Sequence, residues 1–160
     1  LAISSVLAKN LHLPRNFAES VFAAATFNLG PRTITYPHYD GRNLLWGWCV
    51  VTALGWFNYK RGGHLILWDL GLIIEFPPGS SILMPSALIR HSNIRIGPKE
   101  KRFSFTQFSG AGLFRWIDNG LQSDASAEAA ISGDRANQER RWNAANRRGE
   151  EGINSYQHWP

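Results

Sequence analysis

The run Tyr36-Pro37-His38-Tyr39-Asp40 sets a histidine and an aspartate two positions apart, and His91 and Arg102 follow far down the chain. On an extended strand, side chains two apart point to the same face, so His38 and Asp40 can grip one ion together. A distant His91 completes two imidazoles and one carboxylate, the facial set that suits non-haem Fe(II) and leaves three coordination positions open. Arg102 stands in an alternating run where Arg102, Ser104, Thr106 and Phe108 share a face. A guanidinium there can take a carboxylate through two parallel hydrogen bonds, and the Ser104 hydroxyl can add another. These are the needs of a cosubstrate such as 2-oxoglutarate: its far carboxylate goes to Arg102, its 2-oxo acid end to iron, and O2 takes the last position. Zinc is chemically allowed at the same three ligands, but it leaves Arg102 and Ser104 without a role. The other histidines compete poorly, since His64 follows a Gly-Gly turn and His12 and His158 stand without partner ligands.

Such residues need a rigid β framework, and the middle of the chain reads as one. Thr33–Pro37 leads into the His38/Asp40 pair. Leu45–Leu54 is a continuous apolar strand, and His64–Leu70 with Leu72–Phe76 forms a hairpin through Gly71. Ser81–Met84, Ala87–His91 and Lys101–Ser109 follow, separated by Pro- and Gly-rich turns. Six to eight short strands at this spacing predict a mainly β fold with flanking helices, a double-stranded β-helix or cupin-like jelly roll. The expected organisation is an N-terminal supporting helix region over 1–30, a catalytic core over 31–118 and a helical extension over 119–160. The first helix is read through Thr26, with Phe17, Val21 and Ala24 on one face. In the extension, Arg135–Arg148 is a charged helix with Trp142 as its one large anchor, and Ser155–Pro160 is expected to fray.

A chain of 160 residues with 44% apolar content supports one domain with a real core. Its single cysteine, Cys49, excludes an internal disulfide and a Cys-based zinc site, and its apolar surroundings make it a buried thiol. Leu1 is not an initiator methionine, so a piece of a longer chain is expected. No run reaches membrane-spanning length and no secretory signal opens the chain, which points to an intracellular, soluble protein. The net charge is +5, and residues 31–116 hold ten Lys and Arg against four acids. A basic segment around the site argues for an anionic substrate, nucleic acid first.

Several further runs join these motifs: Phe27-Asn28-Leu29-Gly30-Pro31-Arg32, Trp46-Gly47-Trp48-Cys49, Gly62-Gly63-His64-Leu65, Pro77-Pro78-Gly79-Ser80, Arg90-His91-Ser92-Asn93 and Gly112-Leu113-Phe114-Arg115-Trp116. Together the stretch from Phe27 to Asp118 resembles the TET/JBP-like 2-oxoglutarate/Fe(II) dioxygenases, in particular their basidiomycete branch associated with transposons. The resemblance implies a double-stranded β-helix with His38, Asp40 and His91 as catalytic iron ligands and Arg102 and Ser104 binding 2-oxoglutarate. It implies oxidation of a methyl group on a DNA base, chiefly 5-methylcytosine, flipped out of the stack into a pocket. Methylated DNA is then the partner, the nucleus the place, and a monomer without an evident protein partner the expected state. Asn43 matches a family position that meets the polar edge of the base, and Phe108 one on which the base stacks; a turn-capping Asn and an ordinary core Phe are the alternatives. Where relatives place a base-contacting histidine, this chain has Gly110, which leaves N6-methyladenine open as a substrate. A prolyl- or lysyl-hydroxylase-like enzyme acting on protein, or a fold remnant that only binds nucleic acid, are the competing readings.

Overall fold

The computed structural model describes residues 16–157. Residues 16–110 belong to one compact unit and 111–157 to a second. The first unit is the roll. Strands β1 (Ala24–Asn28), β2 (Cys49–Trp56), β5 (Ser81–Met84) and β7 (Lys101–Phe108) form a four-stranded antiparallel sheet in the order β1-β7-β2-β5. Strands β3 (Leu65–Leu67), β4 (Leu72–Ile74) and β6 (His91–Asn93) form a second sheet in the order β4-β3-β6. This mainly β, jelly-roll architecture is the one the spacing predicts.

Period-two alternation fills the space between the sheets. Ala53 on β2, Leu65 and Leu67 on β3 and Met84 on β5 are buried together with Phe57, Phe76 and Ile96. On β7 the inward row is Arg102, Ser104, Thr106 and Phe108, all lining one pocket, while Lys101 on the alternate face is exposed. Gly55 opposes Arg102 with φ +108°, and a Cβ there would run into the Lys101 carbonyl oxygen. Only glycine lets β2 close on β7 at the point where Arg102 enters the pocket.

Three local expectations are corrected. The helix read through Thr26 is not present among residues 16–26: Ser20 N–H closes a turn on Phe17 O (3.2 Å), and Ala24–Asn28 is strand β1. The Ala-rich face is good helix material, but the free edge of β7 offers Ala24–Asn28 a full ladder, and Phe17 and Phe27 pack on Phe105 (centroids 5.6 and 4.8 Å). Long-range pairing overrides the local preference. Residues 1–15 of that helix lie outside the described residues. Leu45–Leu54 does not start as strand; a turn precedes it (Gly47 N–H to Leu44 O, 2.9 Å) and β2 begins at Cys49. Likewise Pro85 O accepts the N–H groups of both Leu88 and Ile89 (2.9 and 3.1 Å), so Ala87–Leu88 turns instead of extending and β6 begins at His91.

The second unit holds three helices: α1 (Ala111–Asp118), α2 (Asp124–Ala130) and α3 (Arg135–Gln157). Residues 111–118, expected within the core over 31–118, are helical. Ser123 Oγ caps α2 by accepting Ser126 N–H (3.0 Å), and Asp134 Oδ1 takes Asn137 N–H (3.0 Å) at the start of α3. Helix α3 continues through Gln157, so residues 155–157 are helical, and 158–160 lie outside the described residues. Trp142 is 68% exposed, so it is not a buried anchor for this helix.

Candidate metal centre

His38 and His91 are opposed across an isolated antiparallel bridge, each giving its backbone N–H to the other's carbonyl (3.1 and 2.9 Å). This places both imidazoles on one face with ring centroids 4.4 Å apart. Each ring's Nδ1 lies against the carbonyl two residues back: Tyr36 O for His38 (2.7 Å) and Ile89 O for His91 (2.8 Å). A carbonyl can only accept, so Nδ1 carries a proton and Nε2 is the nitrogen left to face the site and ligate. Asp40 sits between them, with Oδ1 3.4 Å from His38 Nε2 and Oδ2 4.0 Å from His91 Nε2. One ligand atom from each of the three residues lies within 4.8 Å of the others. Cis ligands around one small divalent ion stand about 3 Å apart at bonds of about 2.1 Å, so a modest contraction brings the set onto an ion. Burial of His91 pulls its pKa below the ordinary value, against the opposing pull of the Ile89 carbonyl and Asp40. The neutral imidazole so favoured is the ligating form.

The carboxylate is held from behind. Asp40 N–H donates to Ser86 O (3.0 Å), and Asn43 Nδ2 donates both to Asp40 Oδ2 (3.2 Å) and to Ser86 Oγ (3.0 Å). Ser86 is 1% exposed. Both amide hydrogens of Asn43 are thus committed, and what it has left for the pocket is the acceptor Oδ1. An outer clamp ties the two ligand segments together. Asp69, on the turn after β3, accepts Arg90 N–H at Oδ2 (2.6 Å) and the Tyr39 hydroxyl at Oδ1 (3.3 Å). Beside it, Trp68 Nε1 donates to Ser92 Oγ (3.0 Å). Asp69, Trp68 and Ser86 escape a reading of the sequence, because nothing local marks a partner 21 or more residues away.

Arg102 is 3% exposed and lines the same pocket, a space of about 290 Å³. One terminal nitrogen donates to Thr33 O (3.3 Å), and Nε has no partner. Among the described residues no carboxylate pairs with this guanidinium, and its burial lowers its pKa. A buried, uncompensated cation is costly, and the group that would relieve it is an anion entering the pocket. Ser104, two residues on, accepts Asn28 Nδ2 at its Oγ (2.9 Å), which leaves the hydroxyl proton to donate elsewhere. The donor set of two neutral imidazoles and a carboxylate fits Fe(II). The orphaned guanidinium with a donating hydroxyl fits the carboxylate of 2-oxoglutarate.

The structure therefore brings His38, Asp40, Asn43, His91, Arg102, Ser104 and Phe108 around one pocket. Phe108 closes the β7 row, half-buried, at the end where Gly110 bridges Asn43.

No protein-family model matches the sequence, and no curated protein matches it either. Among solved structures, the chain is similar to NgTET1 in complex with 5mC DNA, at 18% identity and TM-score 0.55. That likeness covers 69% of this chain but only 42% of NgTET1. A viral collagen prolyl hydroxylase from Paramecium Bursaria Chlorella virus-1, in its 2OG complex, is similar at 18% identity and TM-score 0.39, over 52% of this chain and 59% of the other. At 18% identity the likeness to NgTET1 is one of architecture, a shared jelly-roll fold.

Proposed function

We propose that the chain is an Fe(II)/2-oxoglutarate-dependent dioxygenase that oxidises the methyl group of a DNA base, 5-methylcytosine first. The observation that carries the reading is the pairing, in one pocket, of a His38/Asp40/His91 ligand set with a buried Arg102 that has no anion of its own. Bound Fe(II) supplies the chemistry that couples O2 and 2-oxoglutarate to oxidation of a methyl group. The chain's own residues hold and orient. Tyr36 O and Ile89 O aim the imidazoles, Asn43 and Ser86 hold the Asp40 carboxylate, and Arg102 and Ser104 take the far carboxylate of the cosubstrate.

The reading of a methylated base draws on Asn43, which keeps an acceptor that the exocyclic N–H of 5-methylcytosine or of N6-methyladenine can meet. NgTET1, whose fold this chain shares, has 5mC DNA in its complex. Phe108 at the end of the row gives an extruded base an aromatic face. Placement in the basidiomycete, transposon-associated branch and action in the nucleus belong to the same proposal and rest on the sequence motifs.

The test is turnover of duplexes carrying 5-methylcytosine or N6-methyladenine, scored by mass spectrometry together with succinate release. Oxidised 5-methylcytosine is the expected product. N6-methyladenine oxidised in its place overturns the base assignment, and failure on both with 2-oxoglutarate still bound turns the reading towards a protein substrate.

A further inference from the structure

The positive charge of the chain's middle does not gather at the candidate metal pocket, where Arg102 is the only lysine or arginine among the described lining residues. Half of the ten cations in residues 31–116 gather at the end of β7 where Arg102 begins the inward row: Lys60, Arg61, Arg95 and Lys99 on two turns and Lys101 as the first residue of the strand, all exposed. Six residues of strand, about 20 Å, separate that end from Phe108.

These turns are locked to one another. Glu100 Oε1 accepts Asn58 N–H (2.7 Å) and Oε2 accepts Gly97 N–H (2.6 Å), so one carboxylate staples the first turn to the second. Gly63 N–H donates to Ile94 O (3.1 Å), and Gly62 packs so closely on the Arg95 carbonyl that a Cβ would stand 2.6 Å from its oxygen. Between the turns lies a groove of about 560 Å³, to which Arg61, Arg95 and Lys99 contribute. Glu100 is the only acid in either turn; both its oxygens accept backbone N–H groups, and its charge also attracts Arg61. Among the described residues, Lys60, Arg61, Arg95 and Lys99 form no ion pair.

We propose that this groove docks the phosphate backbone of duplex DNA, at a place separate from the pocket that takes the base; the assignment rests on the DNA reading of that pocket. Exposed guanidinium and ammonium groups on a rigid concave frame are what phosphate contacts use. An acidic protein partner would need apolar anchors as well, and the groove offers only Pro98 beside the buried Ile96.

Fluorescence anisotropy of a short, labelled, unmethylated duplex across a salt series tests this, with the triple variant R61A/R95A/K99A beside the wild type. Removing three phosphate contacts flattens the plot of log affinity against log salt by about 2.7 and weakens low-salt binding by about tenfold or more. Co(II) binding at the triad reports that the variant is folded; should it fail to fold, R61Q and K99Q singly each flatten the slope by about 0.9. Unchanged affinity and slope overturn the proposal. Displacement of the duplex by polyglutamate at equal charge also overturns it, in favour of an acidic protein. A wild type that binds duplex through the groove yet leaves 5-methylcytosine untouched contradicts the base-oxidation reading alone. One that oxidises it while the triple variant keeps full affinity contradicts the groove alone.

Discussion

His38 and His91 face one another across a two-bond antiparallel bridge, each backbone N–H on the other's carbonyl (3.1 and 2.9 Å). The two candidate imidazole ligands are thus set opposite each other by main-chain pairing. The bridge is isolated from longer strands, so its hold depends on what surrounds it, and Asp69 is the residue that ties both sides.

Asp69→Ala releases Arg90 N–H and the Tyr39 hydroxyl together. Loss of such outer support costs about tenfold to a hundredfold in metal affinity. Co(II) titration followed by its visible bands measures it, with Tyr39→Phe expected to show the smaller part. Equal affinity in Asp69→Ala and wild type would show that the bridge needs no clamp.

Arg102 makes a prediction that runs against ordinary core logic. Removing a buried cation that lacks a partner relieves the folded chain, so Arg102→Met melts higher than wild type when 2-oxoglutarate is absent. The same variant loses about 2–5 kcal/mol of cosubstrate binding and gains no stability from added 2-oxoglutarate, whereas the wild type does. Thermal melts with and without 2-oxoglutarate in the presence of Mn(II) check both halves. A lower melting point without ligand would mean that the guanidinium is already compensated.

Much of this site is legible in the sequence. Arg102, Ser104 and Phe108 share a face of β7 through the period of two, whereas His38 and Asp40 meet without the expected strand, His38 in an isolated bridge and Asp40 at the start of a turn. What is illegible is what long-range pairing decides. Ala24–Asn28 carries a helix-like apolar face, yet β7 claims it as a strand, and that pairing sets Asn28 against Ser104. Asn43 is legible as a polar pocket residue, but not its commitment to Asp40 and Ser86, since Ser86 lies 43 residues on. The basic residues are legible as a count, and only the folded turns show that half of them gather away from the candidate ligands.

Cys49 lies 1% exposed, and its thiol pKa is raised from 9.0 to about 11, chiefly by burial, with the Asp40 charge adding and a hydrogen bond with Ser86 opposing. In the unfolded chain the thiol ionises first, so between pH 9 and 11 the unfolded state holds fewer protons. Stability therefore falls as pH rises through that window, by about 2–3 kcal/mol. Urea melts at pH 8.5 and 10.5 of wild type and Cys49→Ala measure it; the variant should lack that part of the fall, and equal slopes in both would refute the assignment.

Gly110 bridges Asn43, and a Cβ placed there meets only Arg42 O at 3.7 Å, an ordinary contact. Gly110→His is accordingly expected to fold and to raise the preference for 5-methylcytosine over N6-methyladenine by about 1–3 kcal/mol, the worth of one good base contact. Competition assays with both duplexes read it, and an unchanged ratio would show that this position does not face the base.

The central claim is one pocket that binds Fe(II) through His38, Asp40 and His91 and 2-oxoglutarate through Arg102. Anaerobic addition of 2-oxoglutarate to the Fe(II)-loaded chain, followed by visible absorption, tests it most directly. The weak charge-transfer band of a chelated 2-oxo acid should appear in the wild type, vanish in His91→Ala, and in Arg102→Met require far more 2-oxoglutarate. No band in the wild type, or the same band in His91→Ala, would contradict the claim.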